Sequence, residues 1–324
     1  MMTSQNSKTI SIKDTSSERL ITMLKTALGP NVGSLLTDDT VIELMLNQDG
    51  KLWSDRLGVG RQDTGHTITP QDAERIIRLV ATGTGTECNE SKPLLSAELP
   101  GTGSRFQGLL PPVVPAPVFT IRKKALLIFT LDDYVTQGIM TERQKATIIE
   151  AVHTKQNILV TGGTGTGKTT LVNAVLDEIA STHDRIVIIE DTLELQCTAP
   201  DTVFLRAKEG VATMNDLLRA TMRLRPDRIV VGEVRGPEAL SLLKAWNTGH
   251  PGGCATVHAN SARAGLTRLE QLIQEAVITV PKELIAEAVN IVIHIERSGH
   301  GRKIREIARV GGVLEGKYDL LKIT

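Results

Sequence analysis

Residues 157–170 read Asn-Ile-Leu-Val-Thr-Gly-Gly-Thr-Gly-Thr-Gly-Lys-Thr-Thr. An apolar run, a glycine-rich turn and a helical pattern (Leu171, Val172, Val175, Leu176, Ile179) follow one another without a gap. Residues 162–169 satisfy G-x-x-x-x-G-K-[ST], in the strand–turn–helix context that gives that spacing its meaning. Glycines let the backbone wrap a polyphosphate and aim successive N–H groups at its oxygens. The helix start adds the positive end of its dipole. The binding set is therefore Gly162, Gly163, Thr164, Gly165, Thr166, Gly167, Lys168, Thr169 and Thr170. Lys168 reaches the β- and γ-phosphates, and the Thr169 hydroxyl ligates Mg²⁺. The loop alone does not say what the bound nucleotide drives.

Two further apolar runs follow. Arg185–Ile189 ends in Glu190 and Asp191, with Glu194 three residues on; Arg228–Val231 ends in Gly232 and Glu233. In an open parallel sheet the carboxyl ends of the strands face the ligand crevice. Acids there hold Mg²⁺ or orient an attacking water. Glu233 is the favoured base, and Glu190 and Glu194 are candidates for metal support. The bland alternative is that acids end strands as solvated turn residues.

Composition narrows the class. The chain has 324 residues, 37 basic and 37 acidic, with four Phe, two Tyr and two Trp. Balanced charge argues against coating nucleic acid by bulk attraction, and few rings are left on which bases could stack. Cys88, Cys197 and Cys254 are scattered, which fits free thiols in a reducing compartment. The apolar runs are far shorter than the roughly 20 residues of a membrane span, and the polar start lacks a secretory signal pattern. A cytoplasmic protein is expected.

The length suggests two domains. We expect a flexible start over 1–16, a small α+β domain over 17–124, a linker over 125–140 and a RecA-like α/β domain over 141–324. Thr69-Pro70-Gln71-Asp72 opens a helix. Residues 104–119 look like strand material, but Pro111, Pro112, Pro115 and Pro117 point to an edge or kinked crossing. Arg219 and Arg223 have i, i+4 spacing on an expected helix. With Arg225, Arg228 and Arg235 they form a basic stretch, either exposed or turned to a neighbouring subunit. The basic run 297–309 has two readings: attraction to anionic lipid headgroups, or one solvated strand face, the latter favoured. Gly299-His300-Gly301 inside it reads as a hairpin turn.

Taken in order, four segments resemble the secretion-type traffic ATPases, and most closely the TrbB branch of conjugative transfer systems. They are the phosphate loop, Ile189-Glu190-Asp191-Thr192-Leu193-Glu194-Leu195, the segment 224–235 around Glu233, and Thr248-Gly249-His250-Pro251-Gly252-Gly253-Cys254-Ala255-Thr256-Val257-His258. The resemblance implies a homohexameric ring on the cytoplasmic face of the inner membrane. Its ATPase would work with Mg²⁺ and with other secretion or conjugation components. ATP would lie between the two domains, and its hydrolysis would drive type IV secretion assembly or substrate transfer. It makes His258 a sensor on the γ-phosphate side, where chemistry alone favours a structural histidine. It also makes Arg122, then Arg105, candidates for charge opposite the phosphates; a solvated basic strand edge is the equal alternative. Pilus or type II export ATPases and ring-shaped nucleic-acid motors are the alternative readings, and a nucleotide-gated scaffold that scarcely hydrolyses ATP is a third. Sequence-specific nucleic-acid binding is not expected.

Overall fold

The computed structural model describes residues 6–124, 128–208, 210–299 and 301–323, with the side chains of 6–17 left out. The chain divides into two compact units, Met1–Leu126 and Leu127–Thr324.

The first unit begins with α1 (Asn6–Thr37), two helices joined across a kink where Gly29 takes φ of 71° and Pro30 cannot donate. Leu24, Leu28, Val32 and Leu35 are buried along it. Residues 6–16, expected to be a flexible start, continue this helix; residues 1–5 lie outside the described set. The strands are β1 (Val41–Leu46), β2 (Lys51–Arg56), β3 (Gly60–Thr67), β4 (Leu94–Glu98), β5 (Arg105–Leu109) and β6 (Val118–Arg122). They form an antiparallel sheet in the order β3-β2-β1-β6-β5-β4. Helix α2 (Pro70–Gly83) carries Thr69 as N-cap and proline in its first turn, and buries Ile76, Ile77 and Val80. These join Leu44, Phe106, Phe119 and Ile121 in one core. The expectation for 104–119 is corrected here. Both β5 and β6 are internal strands, because all four prolines fall in the connection between them, where no ladder hydrogen bond is lost.

The second unit starts before residue 141. Helix α3 (Leu131–Thr136) buries Leu131 and Tyr134, and Met140 is buried after it. Residues 128–140 therefore belong to a core and are not a linker; 125–127 lie outside the described residues. Then come α4 (Glu142–His153), β7 (Ile158–Gly162), α5 (Lys168–Ala180), β8 (Ile186–Glu190), β9 (Thr202–Arg206), α6 (Met214–Thr221) and β10 (Arg228–Val231). The unit continues through α7 (Glu238–Asn247), β11 (Cys254–His258), α8 (Ala262–Gln274), α9 (Lys282–Ala288), β12 (Ile291–Ser298), β13 (Gly301–Leu314) and β14 (Lys317–Ile323). The sheet order is β14-β13-β12-β7-β11-β10-β8-β9. From β12 to β9 every pairing is parallel; β13 and β14 add an antiparallel margin. The near-continuous apolar runs of β7, β8 and β10 are what a sheet covered on both faces requires. Separate apolar clusters fill the two sides. Among the described residues no helix is long and apolar enough to cross a membrane.

The end of this sheet opposite the phosphate loop is tied by a buried cation. Arg228, 1% exposed, donates from Nε to Asp184 Oδ2 at 2.7 Å, from Nη1 to Gly252 O at 3.0 Å and from Nη2 to Val152 O at 2.9 Å. Lys155 Nζ binds the other Asp184 oxygen at 2.9 Å. Arg228 is thus neither exposed nor available to a neighbour, contrary to the expectation for the basic stretch. Arg223 also departs from it, since α6 ends at Thr221. Burial raises the Asp184 pKa, but hydrogen bonds from Lys155, Arg228 and Thr182, with the Arg228 charge, outweigh it and bring the carboxyl down to about 2.

Removing one partner of a buried pair strands the other charge, so Arg228→Ala is expected to cost about 3–5 kcal/mol in denaturant unfolding. The Asp184 contribution has a definite sign. Its folded pKa is depressed, so its stabilisation is complete above the ordinary carboxylate pKa of about 4. It is lost as pH falls toward about 2. An Asp184→Asn variant should show a shallower acid limb than the wild type in a stability-versus-pH series.

Candidate functional site

Parallel pairing sets the ends of β7, β11, β10 and β8 side by side, and each delivers one part of the site. Strand β7 runs into the phosphate loop, and Lys168 is the first residue of α5. Gly165 and Gly167 take φ of 70° and 96°, the left-handed region that glycine enters at little cost. Lys168 is buried, and its ammonium donates to the Gly162 and Gly163 carbonyls at 3.0 Å each. It lies 3.2 Å from Nδ1 of His258 at the end of β11.

His258 Nε2 is 2.8 Å from Oε1 of Glu233, which follows β10. The other Glu233 oxygen accepts from Arg235 Nη2 at 2.6 Å, and Arg235 Nη1 reaches Asp191 Oδ2, just past β8, at 2.6 Å. One unbroken chain of charged and polar groups therefore runs Lys168–His258–Glu233–Arg235–Asp191. An ammonium only donates and a carboxylate only accepts. With Lys168 as the donor, Nδ1 of His258 is the acceptor in that contact, while Nε2 stands at ion-pair distance from Glu233 Oε1.

The electrostatics agree with that assignment. Burial would raise the Glu233 pKa, but the Arg235 hydrogen bond and the charges of Arg235, His258 and Lys168 outweigh it; the carboxyl is held below its ordinary value. For His258, burial together with Lys168 and Arg235 outweighs the opposing pull of Glu233, and the imidazole is held below its ordinary value. At neutral pH the pair is a carboxylate beside a neutral imidazole.

The candidate metal residues divide. Thr169 Oγ1 donates to Glu194 Oε2 at 3.1 Å, so these two share one place. Glu190 is turned elsewhere. It is 3% exposed, and its Oε1 accepts the backbone N–H groups of Glu194 and Leu195 at 3.0 Å each. Its role in the structure is to clasp the turn that carries Glu194. No cluster of three or more His, Cys, Asp or Glu suited to a metal occurs among the described residues. Mg²⁺ bound with a nucleotide needs no such cage, since one or two protein oxygens, phosphates and waters complete its shell. The hard oxygens of Thr169 and Glu194 fit that role.

Arg105 and Arg122 belong to the first unit. They stand opposite each other on β5 and β6, with Glu98 and Glu43 as the next cross-strand partners on either side. This row lies on the sheet face opposite the buried Phe106, Ile121 and Leu44. His250 Nδ1 contacts the Pro226 carbonyl at 2.9 Å, which holds a turn rather than a ligand.

Arg235 and Asp191 are site members that sequence reasoning passed over. Arg235 lies two residues beyond Glu233, and its tie to Asp191 depends on the β8–β10 register. Glu238 also belongs, accepting from the Arg235 and Gly236 backbone N–H groups at 2.8 and 2.9 Å, and so shapes the turn that presents Arg235.

A phosphate loop on a parallel α/β sheet, with acids at the neighbouring strand ends, defines the P-loop nucleotide-binding class. Residues 106–306 match the family described as Type II/IV secretion system protein, and the chain belongs to that family. It is 50% identical over 302 residues to a conjugal transfer protein TrbB of Rhizobium radiobacter, covering 93% of each chain. It is 27% identical to the type IV secretion system protein VirB11 of Bartonella henselae, covering 90% of this chain and 94% of that one. The fold resembles that of the Legionella pneumophila ATPase DotB, with a TM-score of 0.58 at 17% identity, covering 89% of this chain and 77% of that one.

The network makes a signed prediction. The Glu233 charge raises the His258 pKa, so Glu233→Gln should push it lower still. Titration of the His258 ring resonances by NMR should show this, and an unchanged or higher value would break the assigned pairing.

Proposed function

We propose that this protein is a Mg²⁺-dependent ATPase of a conjugation-type type IV secretion apparatus. The observation that carries this reading is the chain Lys168–His258–Glu233–Arg235–Asp191, which links a phosphate loop to an ionised, half-buried carboxylate. The N–H groups of 163–169 cradle the phosphates. Lys168 exchanges its two loop carbonyls for phosphate oxygens, so its charge is already in place and little reorganisation is needed. Glu233 is the base that takes a proton from the attacking water, and ADP and phosphate are the products. Neutral His258, touching both Lys168 and Glu233, senses whether phosphate or loop holds the lysine. Arg235 keeps the carboxylate ionised and aimed. Thr169 and Glu194 would hold Mg²⁺, which supplies charge neutralisation on the phosphate oxygens.

We assign to Arg122, and second to Arg105, the supply of further positive charge to the phosphates. Arg122→Ala should then lower turnover more than nucleotide affinity. The role in conjugation draws support from the relative named for conjugal transfer and from the wider family. It brings with it a homohexamer at the cytoplasmic face of the inner membrane, working with other secretion components.

The decisive measurement is ATP turnover by the purified chain. Lys168→Ala should abolish it. Glu233→Gln should retain ATP binding but turn over about 10²-fold or more slowly, the scale of losing a general base. Near-normal hydrolysis in either variant would overturn the assignment. Light scattering with and without MgATP tests the ring: a hexamer is expected, and a monomer under both conditions would remove the ring reading.

A further inference from the structure

The basic run 297–309 is divided by the structure into residues with different uses. Arg305 pairs with Glu296 at 3.5 Å, and Arg309 with Glu150 at 3.9 Å. Arg297 and Arg302 behave otherwise. They stand directly opposite each other beside the β12–β13 turn. Both guanidinium groups turn to glycines of the phosphate loop. A Cβ at Gly165 would lie 2.7 Å from Arg297 Nη2, and one at Gly167 would lie 2.9 Å from Arg302 Cδ and 3.1 Å from its Nε. Arg297 Nε also faces the Gly165 carbonyl at 3.4 Å.

Like charges directly opposite on an antiparallel pair are destabilising. Among the described residues no ion pair to a carboxylate relieves these two, whereas the neighbouring Arg305 and Arg309 each have one. The repulsion is concentrated against a loop whose backbone is shaped to hold an anion. Guanidinium is also the side-chain group best matched to phosphate oxygens. The geometry points to Arg297 and Arg302 as a phosphate-binding pair, supplied by the C-terminal hairpin to the nucleotide in this loop. The inference rests on the nucleotide reading above and extends it to residues 132 and 135 positions downstream of the glycines they face, Gly165 and Gly167 (297 − 165 and 302 − 167). The loop backbone takes the α- and β-phosphates, while lysine reaches the β and γ. A pair set against Gly165 and Gly167 therefore serves phosphates that ADP and ATP share. The basic run acquires a role other than lipid attraction or plain solvation.

The test is binding of a fluorescent ADP and a fluorescent ATP analogue to the full chain, with melting temperatures recorded with and without ADP. Changing both arginines to alanine is expected to weaken ADP and ATP by the same factor, about tenfold or more, the scale of losing charge-assisted hydrogen bonds. The nucleotide-free melting temperature should not fall, because a repulsion has been removed, and the ADP-induced rise should shrink. Arg297→Lys with Arg302→Lys should recover part of the affinity, the share that charge without the planar fork can supply. ADP binding within twofold of wild type in the double alanine variant would overturn the inference. So would a lowered nucleotide-free melting temperature with unchanged affinity, which is the signature of a structural brace. If the double variant does not fold, exposed Arg297→Ala alone carries the test: about threefold weaker binding supports the pair, and unchanged binding overturns it. Wild type and Lys168→Ala run alongside. A wild type that binds no nucleotide defeats the nucleotide reading itself. Normal binding by the arginine variants beside a failed Lys168→Ala defeats the hairpin inference alone.

Discussion

The site depends on the parallel register of four strands. Gly162 pairs with His258, Val257 with Thr161, Val231 with both Ala255 and Ile189, and Ile158 with Cys254. Because parallel strands all point the same way, their carboxyl ends open on one edge. Side chains from residues 168, 191, 233, 235 and 258 can then meet without any long loop. A single-residue slip would turn each inward residue outward. The register is held from the other end. Arg228 binds Asp184, Gly252 and Val152, while Asn157 Nδ2 donates to the Ala288 carbonyl at 2.7 Å and its Oδ1 accepts from Gly253 N at 2.9 Å. Polar ties at the amino ends of the strands thus fix where the candidate site residues at the carboxyl ends fall.

Close approach reinforces this. A Cβ at Gly253 would lie 2.1 Å from the Ile229 carbonyl and 2.2 Å from Trp246 Nε1, which itself donates to that carbonyl at 3.0 Å. A Cβ at Gly265 would lie 2.4 Å from Thr161 Cγ2. Gly253 thus lets the start of β11 press against β10 and α7, and Gly265 lets α8 press against the strand that leads into the phosphate loop. His258 is the last residue of β11, just ahead of α8. Its position relative to Lys168 is therefore a packing consequence, and a shift of the lysine would be felt directly at the end of β11.

Most of the parallel sheet was legible in the sequence because buried parallel strands read as short apolar runs, and the candidate site residues lie just past them. The segment from Asn157 to Ile179 is readable almost residue by residue, as are the acids after β8 and β10. Other features were not legible, for identifiable reasons. Arg228 looks like one more member of a basic stretch; only the packing of β8, α4 and the Gly252 turn around it makes it a core residue. The prolines of 111–117 look like a damaged strand when the segment is read as one element, and prove to be a connection between two. Residues 128–140 lack a long periodic pattern, yet Leu131, Tyr134 and Met140 are buried because α3 packs on α4. Glu190 and Glu194 have similar sequence settings at a strand end. The structure separates them by giving one carboxylate to backbone N–H groups and the other to Thr169.

The phosphate loop shows how one motif serves two constraints. Its glycines are usually explained by the approach of backbone to phosphate, and Gly165 and Gly167 do need the left-handed conformation. In this chain the same glycines also accommodate a remote hairpin. A Cβ at Gly162 would come within 2.5 Å of the Ile295 carbonyl, while Gly165 and Gly167 receive Arg297 and Arg302. Strands β12 and β13 thus form the outer wall of the loop; a side chain at Gly162 would push that wall away, while one at Gly165 or Gly167 would displace the arginine side chains. The motif therefore records the shape of the loop itself and also the docking of the C-terminal hairpin, whose two opposed cations lie against Gly165 and Gly167.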